Sequence, residues 1–144
     1  AERYASKERF DLLFMATAFH HIPFSRKGKF LCIARRLLAD DGLFLFGDNL
    51  LAEYKTPAQR IMVLRKSMAK WIADAKRDKD NKELAMAQQM AAIVFQKDCG
   101  GEYFECPSAF EQRLKRVRLR IKGKANASNT NPLDMEHYFY VLMR

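Results

Sequence analysis

Residues 10–23, "FDLLFMATAFHHIP", decide how the rest of the chain is interpreted. The first seven of them are almost continuously apolar and too few for an amphipathic helix, so they predict a strand that is buried on both faces. Such a strand is typical of a parallel sheet. Two adjacent histidines and a proline follow it directly, and the presence of two imidazoles at the end of a core strand requires an explanation.

The next residues predict that this strand belongs to a strand–helix–strand unit. Apolar residues recur at helical spacing up to Leu38, "ADDG" at 39–42 ends the helix, and "LFLFGD" at 43–48 reads as a second buried strand. Two strands joined by a helix in this way form a right-handed parallel crossover.

The remainder of the chain predicts a helical hairpin, a short helix and two more strands. Thr56 to Gln59 has the composition of a capping box, and residues 56–98 form two amphipathic helices separated by a charged link. Pro107 begins a third helix. "VRLRIKG" at 117–123 alternates strictly and predicts a half-buried strand. A loop without a helix connects it to "HYFYVLM" at 137–143, so this last pair should be antiparallel.

Composition limits the class of protein. The chain has 144 residues and a formal charge of +9, which fits one basic globular domain. No apolar run reaches the ~18 residues of a membrane span, and no signal peptide is evident, so a cytoplasmic protein without a membrane partner is predicted. Its three cysteines are odd in number and lack CxxC spacing, which favours reduced thiols.

The strands and hinge together resemble the C-terminal half of a class I S-adenosylmethionine-dependent methyltransferase. In that family a strand of the form "FDLV" runs into a loop ending "LHHI", and a helix ending "RLLKPGG" leads to the next strand; here the hinge reads "RRLLADDG". The resemblance implies an α/β, Rossmann-like half-sheet equivalent to family strands 4, 5, 6 and 7, with the last strand antiparallel between the fifth and sixth. It implies S-adenosylmethionine as the cofactor.

The same resemblance assigns a role to the two histidines. Ligands of open α/β sheets bind beyond the carboxyl ends of the strands, so both imidazoles would face the cofactor and the methyl acceptor. His21 is the first candidate for the base that removes a proton from the acceptor, and His20 is the second. The alternative, that they bond the backbone and only shape the loop, stays open. No acidic or cysteine cluster lies near them in the sequence, so no metal is expected.

Further site residues follow from the resemblance. Met15, Ala16 and Thr17 would contact the methionine portion of the cofactor, although Met15 could also be plain core. Asp48, Asn49 and Tyr54 would contact the acceptor, with a turn role for the first two equally open. The hairpin at 56–98 occupies the place of a substrate lid in the family; a simple core stripe is the alternative.

Part of the family pattern does not occur in this sequence. The Gly-rich turn and the acidic residues that hold the cofactor's ribose and adenine would precede Ala1. The sequence therefore predicts a truncated protein or the second half of a split one, inactive by itself. A half-sheet also exposes an apolar edge at Phe10–Ala16, which predicts self-association or pairing with the N-terminal half of the same domain.

The leading functional prediction is methyl transfer to a small-molecule acceptor by the complete domain. One alternative is a nucleic-acid-binding module or an RNA or DNA methyltransferase fragment, because basic residues concentrate in "RLKRVRLRIKGK" at 113–124. Solvated protein surface explains the same run. The other alternative is a non-catalytic half-domain that pairs with another chain.

Overall fold

A computed structural model describes residues 8–96, 100–127 and 136–144. Its strands are β1 (Phe10–Ala16), β2 (Leu38–Leu50), β3 (Arg120–Ala127) and β4 (Glu136–Met143). Its helices are α1 (Phe24–Leu37), α2 (Pro57–Arg77), α3 (Asn81–Val94) and α4 (Pro107–Arg116), and a 3-10 turn spans Phe19–His21.

The four strands form one mixed sheet in the order β1-β2-β4-β3. β1 runs parallel to β2, as expected for strands joined by a helix, and β4 is antiparallel to both of its neighbours. The last strand thus inserts between β2 and β3, which is the order of a Rossmann-like methyltransferase half-sheet. This confirms the predicted fold class.

β2 begins earlier than predicted. The "ADDG" segment, expected to separate helix from strand, lies within β2, and the register with β1 is irregular between Phe10 and Leu12. Gly42 permits this close passage, because a Cβ atom there would lie 2.7 Å from the carbonyl oxygen of Phe10. Backbone contact with β1 therefore keeps the segment extended.

β1 is not buried on both faces, contrary to the sequence prediction. Leu12 is 56% exposed and Phe14 is 73% exposed. Successive side chains of a strand point to opposite faces of the sheet, so Leu13 and Met15 pack against the main core whereas Leu12 and Phe14 point to the other face and stay exposed among the described residues. β1 is also an edge strand, with β2 as its neighbour. The predicted exposed apolar edge is therefore present, whereas the partner that would cover it stays a prediction.

β3 also departs from its prediction. The strand begins at Arg120 instead of Val117, because α4 continues to Arg116 and Arg118 adopts a left-handed conformation with φ 58°. Most of the strand is exposed, and Ile121 is 40% exposed. β3 forms the opposite edge of the sheet, and its side chains are more exposed than the alternating pattern predicts.

The main core lies between the sheet, α1 and α4, directly beneath the histidine turn. Phe46 of β2 stacks on Phe110 of α4 with ring centroids 4.4 Å apart, and Phe19 meets both rings edge-on at 5.3 Å. Aromatic rings packed in this way have few alternative positions. Because Phe19 immediately precedes His20, its burial fixes where the histidines emerge.

α2 and α3 pack against one another as a hairpin with a separate apolar cluster around Leu64, Met68 and Trp71. The capping box at the start of α2 is present: the Thr56 side chain accepts a hydrogen bond from the backbone N–H of Gln59, and the Gln59 side chain accepts one from the Thr56 N–H. The lid role of this hairpin stays a prediction. Among the described residues, no helix combines the length and apolar character needed to cross a membrane.

Candidate functional site

The carboxyl ends of β1 and β2 bring His20 and Asp48 together. The backbone N–H of Thr17 donates to the Gly47 carbonyl at 2.8 Å, which holds the turn after β1 against β2. The His20 backbone N–H then donates to Asp48 Oδ2 at 2.9 Å, and His20 Nδ1 lies 2.5 Å from Asp48 Oδ1. Both side chains are buried, and Asp48 is completely so.

These contacts fix the position and the plane of the His20 ring. An ionised carboxylate only accepts hydrogen bonds, so Nδ1 is the donor to Asp48. Phe104 stacks on the imidazole with centroids 4.7 Å apart and an interplanar angle of 14°. The structure therefore holds one nitrogen of His20 against Asp48 and leaves the other facing the rim of the sheet.

Glu102 is the third member of the site. Its Oε2 lies 3.6 Å from His20 Nε2, and its Oε1 lies 3.5 Å from His21 Nδ1. Glu102 Oε2 is buried and has no hydrogen-bond partner. The His21 side chain is 55% exposed, so the cluster opens to solvent on that side.

Glu102 reaches the histidines because residues 101–106 are held over the turn by backbone contacts. The Tyr103 N–H donates to the His20 carbonyl at 2.6 Å, Lys27 Nζ donates to the Tyr103 carbonyl at 2.7 Å, and Arg60 Nε donates to the Phe104 carbonyl at 3.0 Å. Burial lowers the pKa of Lys27 to about 8, an effect partly offset by the negative charge of Glu105.

Sequence reasoning missed Glu102 altogether. It lies in "GEYFEC", between two helices, where neither helical nor strand periodicity applies. The one available signal was the pair of aromatic residues, Tyr103 and Phe104, between two glutamates in a connection without helical or strand pattern. That signal suggests burial and does not identify the partner.

The predicted cofactor residues lie at the carboxyl end of β1. Met15 is half-buried and packs against the main core, whereas Ala16 and Thr17 are exposed. Thr17 has a positive φ of 47°, which turns the chain sharply out of the strand. The structure therefore makes Ala16 and Thr17 accessible at this rim, and Met15 contributes to packing.

The predicted acceptor residues do not form one group. Asp48 is completely buried and has no exposed surface with which to contact an acceptor; its oxygens bond His20 and the Asn49 N–H instead. Tyr54 lies in a groove of about 660 Å³ shared with Met62 and Ser108, whose lining includes neither histidine. Burial raises the pKa of Tyr54 to about 12.

Acidic neighbours neutralise part of the basic run at 113–124. Arg113 Nε donates to Glu105 Oε1 at 2.7 Å, and Lys124 Nζ donates to Glu111 Oε1 at 2.7 Å. These two cations are therefore less available to phosphate groups than their number in the sequence suggests. The nucleic-acid alternative stays a prediction.

Solved structures with the same fold include methyltransferases. A SAM-dependent methyltransferase from Leishmania major matches 94% of this chain over 39% of its own length, at 11% identity and a TM-score of 0.54. Mitomycin 7-O-methyltransferase matches 96% over 31%, at 13% identity and 0.55. A cyclopropane synthase from Mycobacterium tuberculosis matches 96% over 57%, at 10% identity and 0.60.

These likenesses show the fold. The chain has the architecture of part of a Rossmann-like methyltransferase domain. It spans between 31% and 57% of the length of the three proteins. Their names cover more than one reaction, as is usual for a widely used fold. No protein-family model matches the chain, and no curated protein sequence matches it significantly.

Proposed function

We propose that this chain is the C-terminal part of an enzyme that transfers a methyl group from S-adenosylmethionine to a small-molecule acceptor. The observation that carries the proposal is the bonding of His20, which follows β1, to Asp48 near the carboxyl end of β2. Open α/β sheets bind their ligands at that edge. A SAM-dependent methyltransferase shares the fold, which supports the choice of cofactor. The cytoplasm stays the predicted compartment.

The residues at the end of β1 fit part of the cofactor. S-adenosylmethionine supplies an electrophilic methyl group on a positively charged sulfur. Ala16 and Thr17 are exposed beside the histidine turn, and the small side chain of Ala16 leaves space for the methionine portion. Met15 would support them from the core side. We propose that a segment outside this chain makes most of the remaining cofactor contacts, so this chain by itself should be inactive.

His20 is the proposed base, in preference to His21, which the sequence ranked first. Asp48 holds the Nδ1 hydrogen and would stabilise the positive charge that forms on the ring when Nε2 takes a proton. His21 is the more exposed of the two and would contact the acceptor at the entrance. A hydroxyl acceptor suits this arrangement, and one enzyme of the same fold is named as an O-methyltransferase.

The free edge of β1 is the proposed attachment for the rest of the domain. Leu12 and Phe14 are exposed there. Phe14 also lines an apolar groove of about 300 Å³, together with Phe30 and Leu37. Unpaired strand edges with apolar side chains are sites of strand addition. The N-terminal half of the same domain would extend the sheet at this edge; self-association of this chain is the competing outcome.

Calorimetry on the complete protein encoded by the reading frame that contains this chain tests the cofactor assignment. Calorimetry should show saturable binding of S-adenosylmethionine by the complete protein and more than tenfold weaker binding by the 144-residue chain, a difference of about 1.4 kcal/mol or more. Absence of binding by the complete protein would contradict the proposed cofactor. Equally tight binding by the chain alone would contradict the proposed division of contacts.

Substitution of the proposed base tests the chemistry. In the complete protein, with any accepted substrate, His20→Ala should lower kcat by about 10²- to 10⁴-fold, the usual contribution of a positioned base. His137→Ala is the matched control, because His137 lies in β4 and outside the cluster, and it should leave kcat unchanged. If both variants retain full activity, His20 is not the base.

A further inference from the structure

We infer that His20, His21 and Glu102 form a binding site for a divalent metal ion of the zinc class. Each residue offers one ligand atom, and these atoms all lie within 4.8 Å of one another. Binding of the ion follows from the geometry of the cluster alone. Its use in catalysis rests on the proposed function.

The spacing of the atoms fits a shared ion better than direct bonding. The two distances from Glu102 to the imidazole nitrogens are 3.6 Å and 3.5 Å, which is too long for good hydrogen bonds. Zinc binds nitrogen and oxygen ligands at about 2.0–2.2 Å, so the ligand atoms of a tetrahedral site lie about 3.4 Å apart. The two short distances involve the two different oxygens of Glu102, and the three ligand atoms lie within 4.8 Å of one another, so the side chains would have to close by up to about 1.4 Å around an ion.

An unpartnered oxygen at the centre of the cluster is independent support. Glu102 is 9% exposed, and its Oε2 is buried without a hydrogen-bond partner. A buried polar atom without a partner costs about 1–3 kcal/mol, and such atoms are rare in folded proteins. This oxygen lies 3.6 Å from His20 Nε2, too far for a good hydrogen bond. A cation between them satisfies both atoms.

Asp48 completes the arrangement as an orienting residue. Histidines that bind metals usually donate their other N–H to a carboxylate, which fixes the tautomer and makes the ligating nitrogen more basic. His20 does so here, with Nδ1 at 2.5 Å from Asp48 and Nε2 directed to the cluster. Phe104, stacked on the ring, holds the same orientation.

The chemistry of the ligands selects the class of ion. Two imidazoles and one carboxylate suit zinc, cobalt, nickel and ferrous iron. Magnesium and calcium prefer oxygen ligands and would bind poorly to two nitrogens. Three protein ligands leave a fourth position open in a tetrahedral site, and the exposed side of His21 gives access to it.

An ion at this position would change how the acceptor is activated. The lone pairs of His20 and His21 would be occupied, so in the metal-bound protein the ion would replace His20 in the base role proposed above. An acceptor hydroxyl bound at the open position would instead lose its proton to solvent at a lowered pKa, as metal-bound water does. The oxygen would then carry the negative charge needed for attack on a methyl group.

Direct titration of the 144-residue chain tests the site without any assay of activity. The protein carries Cys32→Ser and Cys99→Ser, with any purification tag removed, so that these thiols do not bind the metal. Cobalt(II) should bind with one-to-one stoichiometry and produce the intense visible absorption of tetrahedral coordination. Zinc should displace it, whereas millimolar magnesium should not.

Variants assign the binding to the cluster. His21→Ala and Glu102→Gln should each weaken cobalt binding at least 100-fold, and Asp48→Asn should weaken it about 10- to 100-fold through the orientation of His20. His137→Ala, which removes the chain's remaining histidine, should leave binding within twofold of wild type. Urea unfolding confirms that each variant is folded; His21 is exposed, so its substitution keeps the test valid even if Asp48→Asn unfolds.

The inference is overturned if the chain fails to bind cobalt or zinc, or if His21→Ala and Glu102→Gln bind as wild type does. Its failure is distinguishable from that of the proposed function. Metal binding without S-adenosylmethionine binding by the complete protein removes the methyltransferase proposal and keeps the site. Cofactor binding and a His20-dependent kcat without metal binding remove the metal site and keep the methyltransferase proposal.

Discussion

Glu102 and Glu105 lie three residues apart in the same segment, yet they occupy opposite kinds of surroundings. Each has a buried Oε2 without a hydrogen-bond partner. Glu105 Oε1 accepts a hydrogen bond from Arg113 at 2.7 Å, which pairs the buried carboxylate with a partly exposed cation. The oxygens of Glu102 stay 3.5–3.6 Å from two imidazoles. Glu105 is therefore bound by another side chain of the protein, whereas Glu102 is the proposed ligand of a metal ion.

The contrast distinguishes a structural ion pair from a proposed metal ligand within one short segment. A closed ion pair stabilises a fold only as long as both partners remain, because the isolated charge would be buried. An open cluster of ligand atoms contributes little to the fold until it binds a ligand. Substitutions at the two glutamates and their partners should therefore differ in stability, and the predictions below run from the largest expected effect to the smallest.

Removal of Arg113 should produce the largest loss. Arg113→Met leaves the Glu105 carboxylate, which is 1% exposed, without its cation, so the free energy of unfolding should fall by about 3 kcal/mol. Urea denaturation measures the loss. The double variant Arg113→Met/Glu105→Gln should recover part of it, because the unpaired charge is gone.

Arg77→Met is the matched control for Arg113. Arg77 also pairs with aspartates, but its side chain is 69% exposed, so its substitution should change stability little. If Arg113→Met proves as mild as Arg77→Met, then Glu105 is not held by a structural ion pair, and the contrast with Glu102 fails.

Lys27 extends the comparison, because its lowered pKa makes its contribution to the free energy of unfolding depend on pH. Burial lowers that pKa from 10.5 to about 8. Between these values the unfolded state binds a proton that the folded state does not, so stability rises with pH. Relative to Lys27→Met, the wild type should gain about 3 kcal/mol in unfolding free energy from pH 8 to 10.5, at 1.36 kcal/mol per pKa unit.

Urea titrations of both proteins across that pH range give the measurement. Lys70→Met is the control for loss of a lysine at the surface, because this side chain is 42% exposed on α2. A flat difference between wild type and Lys27→Met would show that Lys27 stays protonated throughout. The segment at 101–106 would then be held by a permanent charge at Lys27.

The sequence predicted those features of the fold that depend on neighbouring residues. The capping box at Thr56 is a contact between residues three apart, and the period of "HYFYVLM" requires only a strand with an apolar side. The resemblance to methyltransferases added the antiparallel insertion of β4, which periodicity alone does not specify.

Features set by distant contacts escaped prediction. The exposure of Phe14 depends on what covers the face of the sheet to which it points, and the early start of β2 depends on backbone contact with Phe10. Glu102 reaches His20 only because Tyr103, Lys27 and Arg60 hold its segment in place. The same dependence explains Asp48, whose buried carboxylate bonds His20.

Glu102→Gln should have the smallest effect on the fold and provides the most direct test of the comparison. The substitution removes a buried charge whose Oε2 has no hydrogen bond to lose, so stability in the absence of metal should change by less than about 1 kcal/mol. Urea denaturation with a chelator present gives this value, and Glu105→Gln, expected to cost more, is its control. If Glu102→Gln destabilises the chain as strongly as Arg113→Met, Glu102 acts as a structural partner of the histidines. An effect near zero, combined with the loss of cobalt binding, would show that the fold holds this carboxylate for a ligand.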